Sequence, residues 1–216
     1  MCGIFAYANY GVAATRGDIL EKLLAGLRRL EYRGYDSAGL SVDGASPSTS
    51  EPAPPVVFRA AGKIAELEAA TRDQVAAAKL DLAAQTTQHA GIAHTRWATH
   101  GPPEPRNSHP QVSDPGHDFV VVHNGIITNY MPLRKMLTGH GFVFESDTDT
   151  EVIPKLLKFL SDARDGPLEF WELASKAVAY LEGAFALILK SRLYPGELVA
   201  CKRGSPLLLG HRGEGA

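Results

Sequence analysis

Four short stretches of this chain carry side chains of the kind that make and break acyl bonds. The first is Cys2, one of only two cysteines among 216 residues. Removal of Met1, which a small following residue usually permits, would leave a thiol and a free α-amine on the same residue. The amine titrates at roughly 7.7–8.0 and the thiol at roughly 8.5, and partial burial lowers the amine toward the best range for a general base. A nucleophile served by its own amine is a known solution to acyl transfer. Gly3, without a side chain, would let substrate or another backbone approach the sulfur. The plain alternative is a small apolar residue in a buried strand.

The second stretch is His123-Asn124-Gly125, directly after an apolar run. As a turn it needs no further role. A side-chain amide beside an unobstructed backbone N–H is also what an oxyanion hole requires, and one turn could aim both donors at a single oxygen. The third, His94-Thr95-Arg96-Trp97-Ala98-Thr99-His100-Gly101, follows another strand-like run. Arg96 there is either a solvated charge or a bidentate clamp for a carboxylate. Zinc on His94 and His100 fits poorly, because no cysteine or carboxylate lies at ligand spacing and Cys201 is remote. In the fourth, Thr148-Asp149-Thr150-Glu151 matches a capping box that would start a helix. Asp149 would then complement the helix dipole and could also receive a substrate ammonium. A further dense stretch, Glu31–Gly39, reads only as helix termination with Gly34 past the end.

These residues need elements to hold them, and 216 residues suffice for one well-buried domain but not for two of full size. The 22 basic and 24 acidic side chains nearly cancel, which argues against a polyanion-binding surface. Two cysteines exclude a disulfide framework and suit a reducing compartment. The opening lacks the basic flank and apolar core of a signal peptide, and no stretch approaches the ~20 apolar residues of a membrane span. The setting expected is the cytosol.

Cys2–Ala8, bounded by Asn9-Tyr10-Gly11, reads as a buried strand. Ile19, Leu20, Leu23, Leu24, Leu27 and Leu30 recur at helical spacing. Strands are expected at Ala38–Val42 and Val56–Arg59, joined by a Pro/Ser-rich surface insertion over 44–55 that has too little apolar content to offset its ordering entropy. An alanine-rich helix follows from Ile64 to about Leu82, then a strand at Ala90–His94, a proline-rich loop and a doubly buried strand at Phe119–Val122. Helices are expected at about 129–139, 149–163 and 168–181, with closing strands at 184–189, 197–201 and 206–210. Strands at both ends with helices between suggest sheets covered by helices in layers. No internal repeat is present.

Taken in order, Cys2-Gly3-Ile4, EYRGYDSAG at 31–39, HTRWATHG at 94–101, the Asn and His of NSHP at 107–110, HNGII at 123–127 and SDTDTEV at 146–152 carry a resemblance. The chain resembles the glutamine-dependent amidotransferases of the N-terminal-nucleophile class. It is most similar to the glutaminase half of the glutamine:fructose-6-phosphate amidotransferases, the hexosamine-forming branch, to which the EYRGYDSAG text points. The resemblance runs from residue 2 to about 210, and the six motifs in order are specific where any one alone is weak.

The resemblance implies an α+β fold of four αββα layers, and leaves open whether the last strands of one sheet lie within residues 2–216. It implies Cys2 as nucleophile and Asn124 with Gly125 N–H as oxyanion hole. Arg96 would hold the α-carboxylate of glutamine and Asp149 its α-ammonium, with contacts from Thr99 and His100. Trp97 would lie on a loop closing over L-glutamine, and Arg33 and His109 would sit near the site. No metal or cofactor is implied. A sugar-isomerase domain, absent from these residues, would be the partner and the route to a homo-oligomer. Two readings stay open beside it: a glutaminase serving another acceptor, and a fragment that binds glutamine without turning it over.

Overall fold

The computed structural model describes residues 2–44, 53–77 and 80–211. The first half holds β1 (Gly3–Thr15), α1 (Arg16–Arg28), β2 (Ser37–Val42), β3 (Val56–Ala61), α2 (Ile64–Ala77) and β4 (Gln85–Arg96). The second holds β5 (Gln111–Val112), β6 (Phe119–Ile127), α3 (Tyr130–Gly139), α4 (Val152–Asp162), α5 (Phe170–Ala179), β7 (Gly183–Ser191) and β8 (Leu198–Arg203). The strands form two four-stranded sheets, ordered β1-β4-β2-β3 and β5-β6-β7-β8. Every named pairing is antiparallel.

Apolar side chains fill three layers, which makes this an αββα sandwich. Ile19, Leu23 and Leu27 of α1 and Ile64 and Leu67 of α2 pack on Leu40, Phe58 and Ala93 of the first sheet. Leu137, Val152, Leu156, Phe170 and Leu173 from α3, α4 and α5 pack on Phe119, Val121, Leu187 and Leu189 of the second. Between the sheets lie Ile92, Val120, Val122 and Ile188. The run Phe119–Val122 therefore faces helices with its odd members and the other sheet with its even ones, as strand alternation dictates. Fully burying each such side chain is worth about 1.5–3 kcal/mol. α1 begins at a capping box, in which Asp18 N–H donates to Thr15 Oγ1 at 3.0 Å and Thr15 N–H donates to Asp18 Oδ2 at 2.9 Å.

Several expected boundaries move. β1 does not stop at Asn9 but continues to Thr15, paired with β4 across an irregularity between Tyr10 and Ala14. Long-range pairing here overrides a local turn signal. β6 likewise runs through His123-Asn124-Gly125 to Ile127, so these residues are ladder positions opposite Leu187, Ala186 and Phe185 rather than a turn. The capping box at 148–151 does not form: α4 starts at Val152 and Glu151 makes no cap bond. Its carboxylate instead accepts from Glu145 N–H at 2.9 Å and Ser146 N–H at 2.7 Å. The run 206–210 forms no strand, and Leu208 and Leu209 are 95% and 83% exposed. The alanine-rich helix ends at Ala77 among the described residues. Most of the insertion expected at 44–55 lies outside the described residues; its flanks form the β2–β3 hairpin, with Val42 opposite Val56.

Candidate active site

The functional side chains meet where the ends of β1, β4 and β6 converge. Antiparallel pairing places Gly3 opposite Thr95, which sets Cys2 beside the end of β4. Gly3 is needed for packing rather than for access. A Cβ there would come within 2.8 Å of Thr95 Oγ1 and 2.9 Å of Leu30 Cδ1. The half-buried Cys2 Sγ accepts from Trp97 N–H at 3.3 Å. Burial pushes its thiol up, while the Trp97 N–H and the nearby Arg96 charge pull it down. A thiol held above its ordinary range needs a base before it can act as a nucleophile.

Arg96 ends β4 with 4% of its surface exposed, and its guanidinium lies along the turn that follows. It donates to His100 O, to Gly101 O at 3.2 Å and to Pro102 O at 3.4 Å. The same turn is pinned from the other side by Asp36, whose Oδ2 accepts Ala98 N–H at 2.6 Å while its own N–H donates to Arg96 O at 2.8 Å. This gives the 31–39 stretch a task that spacing alone did not reveal. Asn107 completes the support: its Nδ2 donates to Pro102 O at 3.0 Å and its Oδ1 accepts Asp147 N–H at 2.8 Å. The 97–102 turn is thereby tied to the segment that carries Asp149.

Asp149 caps no helix. It is buried to 4% exposure, and its Oδ2 accepts the Ile127 N–H of β6 at 2.8 Å. Asn124 reaches back to the first sheet, its Nδ2 donating to Cys2 O at 3.4 Å and its Oδ1 lying 2.8 Å from His94 Nε2. Gly125 has φ of +127°, and a Cβ there would come within 2.1 Å of Ala184 O. No side chain fits against the neighbouring strand, so only glycine is accommodated at this position.

Cys2, Arg96, Trp97, Thr99, His100, His109, Gly125 and Asp149 line one cleft, and Asn124 borders it through Cys2. Arg33 does not line it; it lies over the Tyr32 ring at 5.9 Å in a short helical turn spanning Glu31–Arg33. Sequence reasoning missed His123, Thr148 and Thr150 as cleft residues, and it weighed His94 only as a metal ligand. His123 Nδ1 lies 2.8 Å from Thr150 Oγ1 and its N–H donates to His109 Nδ1 at 3.3 Å. The His94 and His109 rings stack at 4.2 Å. Burial holds His94 at about 3 and His123 at about 4, and holds His109 well below its usual value, so all three are neutral. The adjacency of His123 to Asn124 on one strand was the only available clue.

The arrangement offers a nucleophilic sulfur, two candidate oxyanion donors, a buried cation and a buried carboxylate around one space. A family model described as a glutamine amidotransferase domain matches residues 94–203, about half of the chain. The chain belongs to the glutamine amidotransferase domain family. Among curated relatives of this amidotransferase domain is glutamine--fructose-6-phosphate aminotransferase [isomerizing] 1 of Arabidopsis thaliana, 57% identical over 97% of this chain. The Homo sapiens enzyme 2 of that name is 53% identical over 98%, and the Saccharomyces cerevisiae enzyme is 46% identical over 99%. The chain spans about 31% of the length of the plant and human relatives. A solved glutamine phosphoribosylpyrophosphate amidotransferase from B. subtilis superposes with a TM-score of 0.61 at 20% identity, covering 91% of this chain and 36% of that one, which supports the fold alone. Among the described residues no group of His, Cys, Asp and Glu is arranged to hold a metal ion, and no helix is long and apolar enough to cross a membrane.

Proposed function

We propose that this chain is a glutaminase domain that hydrolyses the side-chain amide of L-glutamine through a thioester on Cys2. The observation that carries the reading is the convergence of Cys2, Asn124, Gly125, Arg96 and Asp149 on one cleft. With Met1 removed, the Cys2 α-amine takes the thiol proton as sulfur attacks the amide carbon. A C–S bond forms and the carbonyl electron pair moves to oxygen, where Asn124 Nδ2 and Gly125 N–H receive it. The C–N bond then breaks, nitrogen takes the proton and ammonia leaves. Water attacks the thioester, giving glutamate and restoring the thiol. At the far end of the substrate, Arg96 receives the α-carboxylate and Asp149 the α-ammonium, with Thr99 and His100 contributing contacts.

The 97–102 turn carries Trp97, 54% exposed, and its closing over bound glutamine would keep water from the released ammonia. His109 and Arg33 would act from the margin of this site. The relatives' name points to fructose 6-phosphate as the acceptor of the ammonia; on our reading the acceptor site, forming glucosamine 6-phosphate, would lie on a sugar-isomerase domain of a longer, cytosolic and homo-oligomeric protein.

Intact mass after incubation with 6-diazo-5-oxo-norleucine, a reactive glutamine analogue, tests the reading. Stoichiometric labelling at Cys2 is expected, and a folded sample that takes no label would end it. Cys2→Ala is expected to abolish glutamine hydrolysis with its thermal midpoint little changed; measurable turnover in that variant would refute the nucleophile.

A further inference from the structure

The Asn124 amide sits between two partners of different character. One end lies 3.4 Å from Cys2 O, a carbonyl that can only accept. That end must therefore be the NH2 group, and the other end, 2.8 Å from His94 Nε2, must be the amide oxygen. The amide oxygen accepts only, so the proton of the imidazole has to reside on Nε2. The ring is fully buried and neutral, so Nδ1 carries none; Nδ1 is also without a hydrogen-bond partner among the described residues. Stacking against His109 fixes the plane of the ring.

We propose that His94 is a positioning residue for the glutaminase reaction: its Nε2–H holds Asn124 Oδ1 and so keeps Asn124 Nδ2 turned toward Cys2. Reversal of the amide would point an oxygen at the forming oxyanion and replace attraction with repulsion. His94 itself touches neither the substrate nor the reacting atoms; it acts through Asn124. The proposal deepens the glutaminase reading and rests on it.

Two measurements on this chain test it. Long-range 1H–15N correlation of the histidine rings reports the tautomer directly and needs no turnover. The Nε2–H form of His94 is expected; the Nδ1–H form would overturn the proposal, because Nε2 would then accept from Asn124 and turn its oxygen toward the sulfur. The second measurement compares His94→Phe with His94→Gln, whose terminal amide reaches about as far as Nε2 and can donate the same bond. H94F is expected to lower kcat for glutamine by about tenfold to a hundredfold, part of the loss typical of a missing oxyanion donor, with KM within about threefold. Alkylation of Cys2 by iodoacetamide should stay within about threefold of the parent chain, showing the thiol and its surroundings intact. H94Q should recover about tenfold of the lost kcat. A kcat within threefold of the parent in H94F, or equal impairment in two folded variants, would overturn the proposal. If H94F does not fold, the tautomer decides alone. A parent chain without turnover would count against the glutaminase reading while leaving the tautomer result to stand on its own.

Discussion

The buried stretch of β4, His89–Arg96, treats polar groups in opposite ways at its two ends. At its start, the fully buried Lys190 of β7 donates to Asp43 Oδ1 and to Ala90 O, bridging the two sheets. Asp43 Oδ2 accepts Ala90 N–H at 2.8 Å, Asp43 N–H donates to His89 Nε2 at 3.3 Å, and Arg16 Nε donates to Asp43 O at 3.2 Å. About 15 Å further along the strand, at its other end, the pattern reverses. Three of the five buried side-chain polar atoms that lack a hydrogen-bond partner among the described residues are His94 Nδ1, Thr95 Oγ1 and His123 Nε2. One end has its charges paired and its bonds closed; the other keeps donors and acceptors in hand. The difference separates polar burial that holds the sheets together from polar burial left open around the proposed site.

Substitutions at the two ends should therefore move different observables. After Cys2→Ala, the largest effect is expected from Asn124→Ala, with kcat for glutamine falling about a hundredfold to a thousandfold and KM changing only a few-fold. Steady-state kinetics decides; a pure KM effect would show that Asn124 binds substrate rather than the oxyanion. At the other end, Lys190→Met leaves the Asp43 carboxylate without its cation and should cost about 3 kcal/mol of stability in denaturant unfolding, with kcat per folded molecule unchanged. A matching loss of kcat would mean that the ends are coupled.

Acid is expected to act on both ends together. His94, His123 and His89 are held at about 3, about 4 and about 4 in the folded chain, each chiefly by burial. Unfolded, each returns to about 6.5 and binds a proton that the folded form refuses. Stability is thus fully present above about pH 6.5 and declines as pH falls toward 4 and 3, by at most about 1.4 kcal/mol per pH unit for each histidine. A thermal midpoint flat between pH 6.5 and 4 would contradict this neutral burial.

Much of the architecture was readable where a single element buries an apolar stripe. Leu23 and Leu27 mark α1, and Val120 and Val122 mark a strand covered on both faces. What escaped was built from polar residues whose partners are distant in sequence. The Gln85–Gln88 segment of β4 is largely exposed and carries no apolar pattern, so its pairing with Tyr10–Thr15 left no local trace. Asn124-Gly125 reads as a turn in any window of ten residues, and only the facing Ala186 and Phe185 keep it extended. In the site, Cys2, Arg96 and Asp149 were legible as candidates from residue type, but the turn that Arg96 and Asp36 secure was not. His94 stood in plain view with no role attached once zinc was set aside, because a histidine's task depends on which nitrogen faces which neighbour.

The pairing of Gly3 with Thr95 has a consequence for how this chemistry can vary. The sulfur's reach is inherited from a ladder of main-chain bonds between β1 and β4. Shifting that ladder by one step would carry Cys2 about 3.3 Å along and turn it to the opposite side. A substitution along β1 leaves that ladder in place, whereas one residue added or deleted between Gly3 and Tyr10 would move the proposed nucleophile while leaving every proposed site residue in the text of the protein.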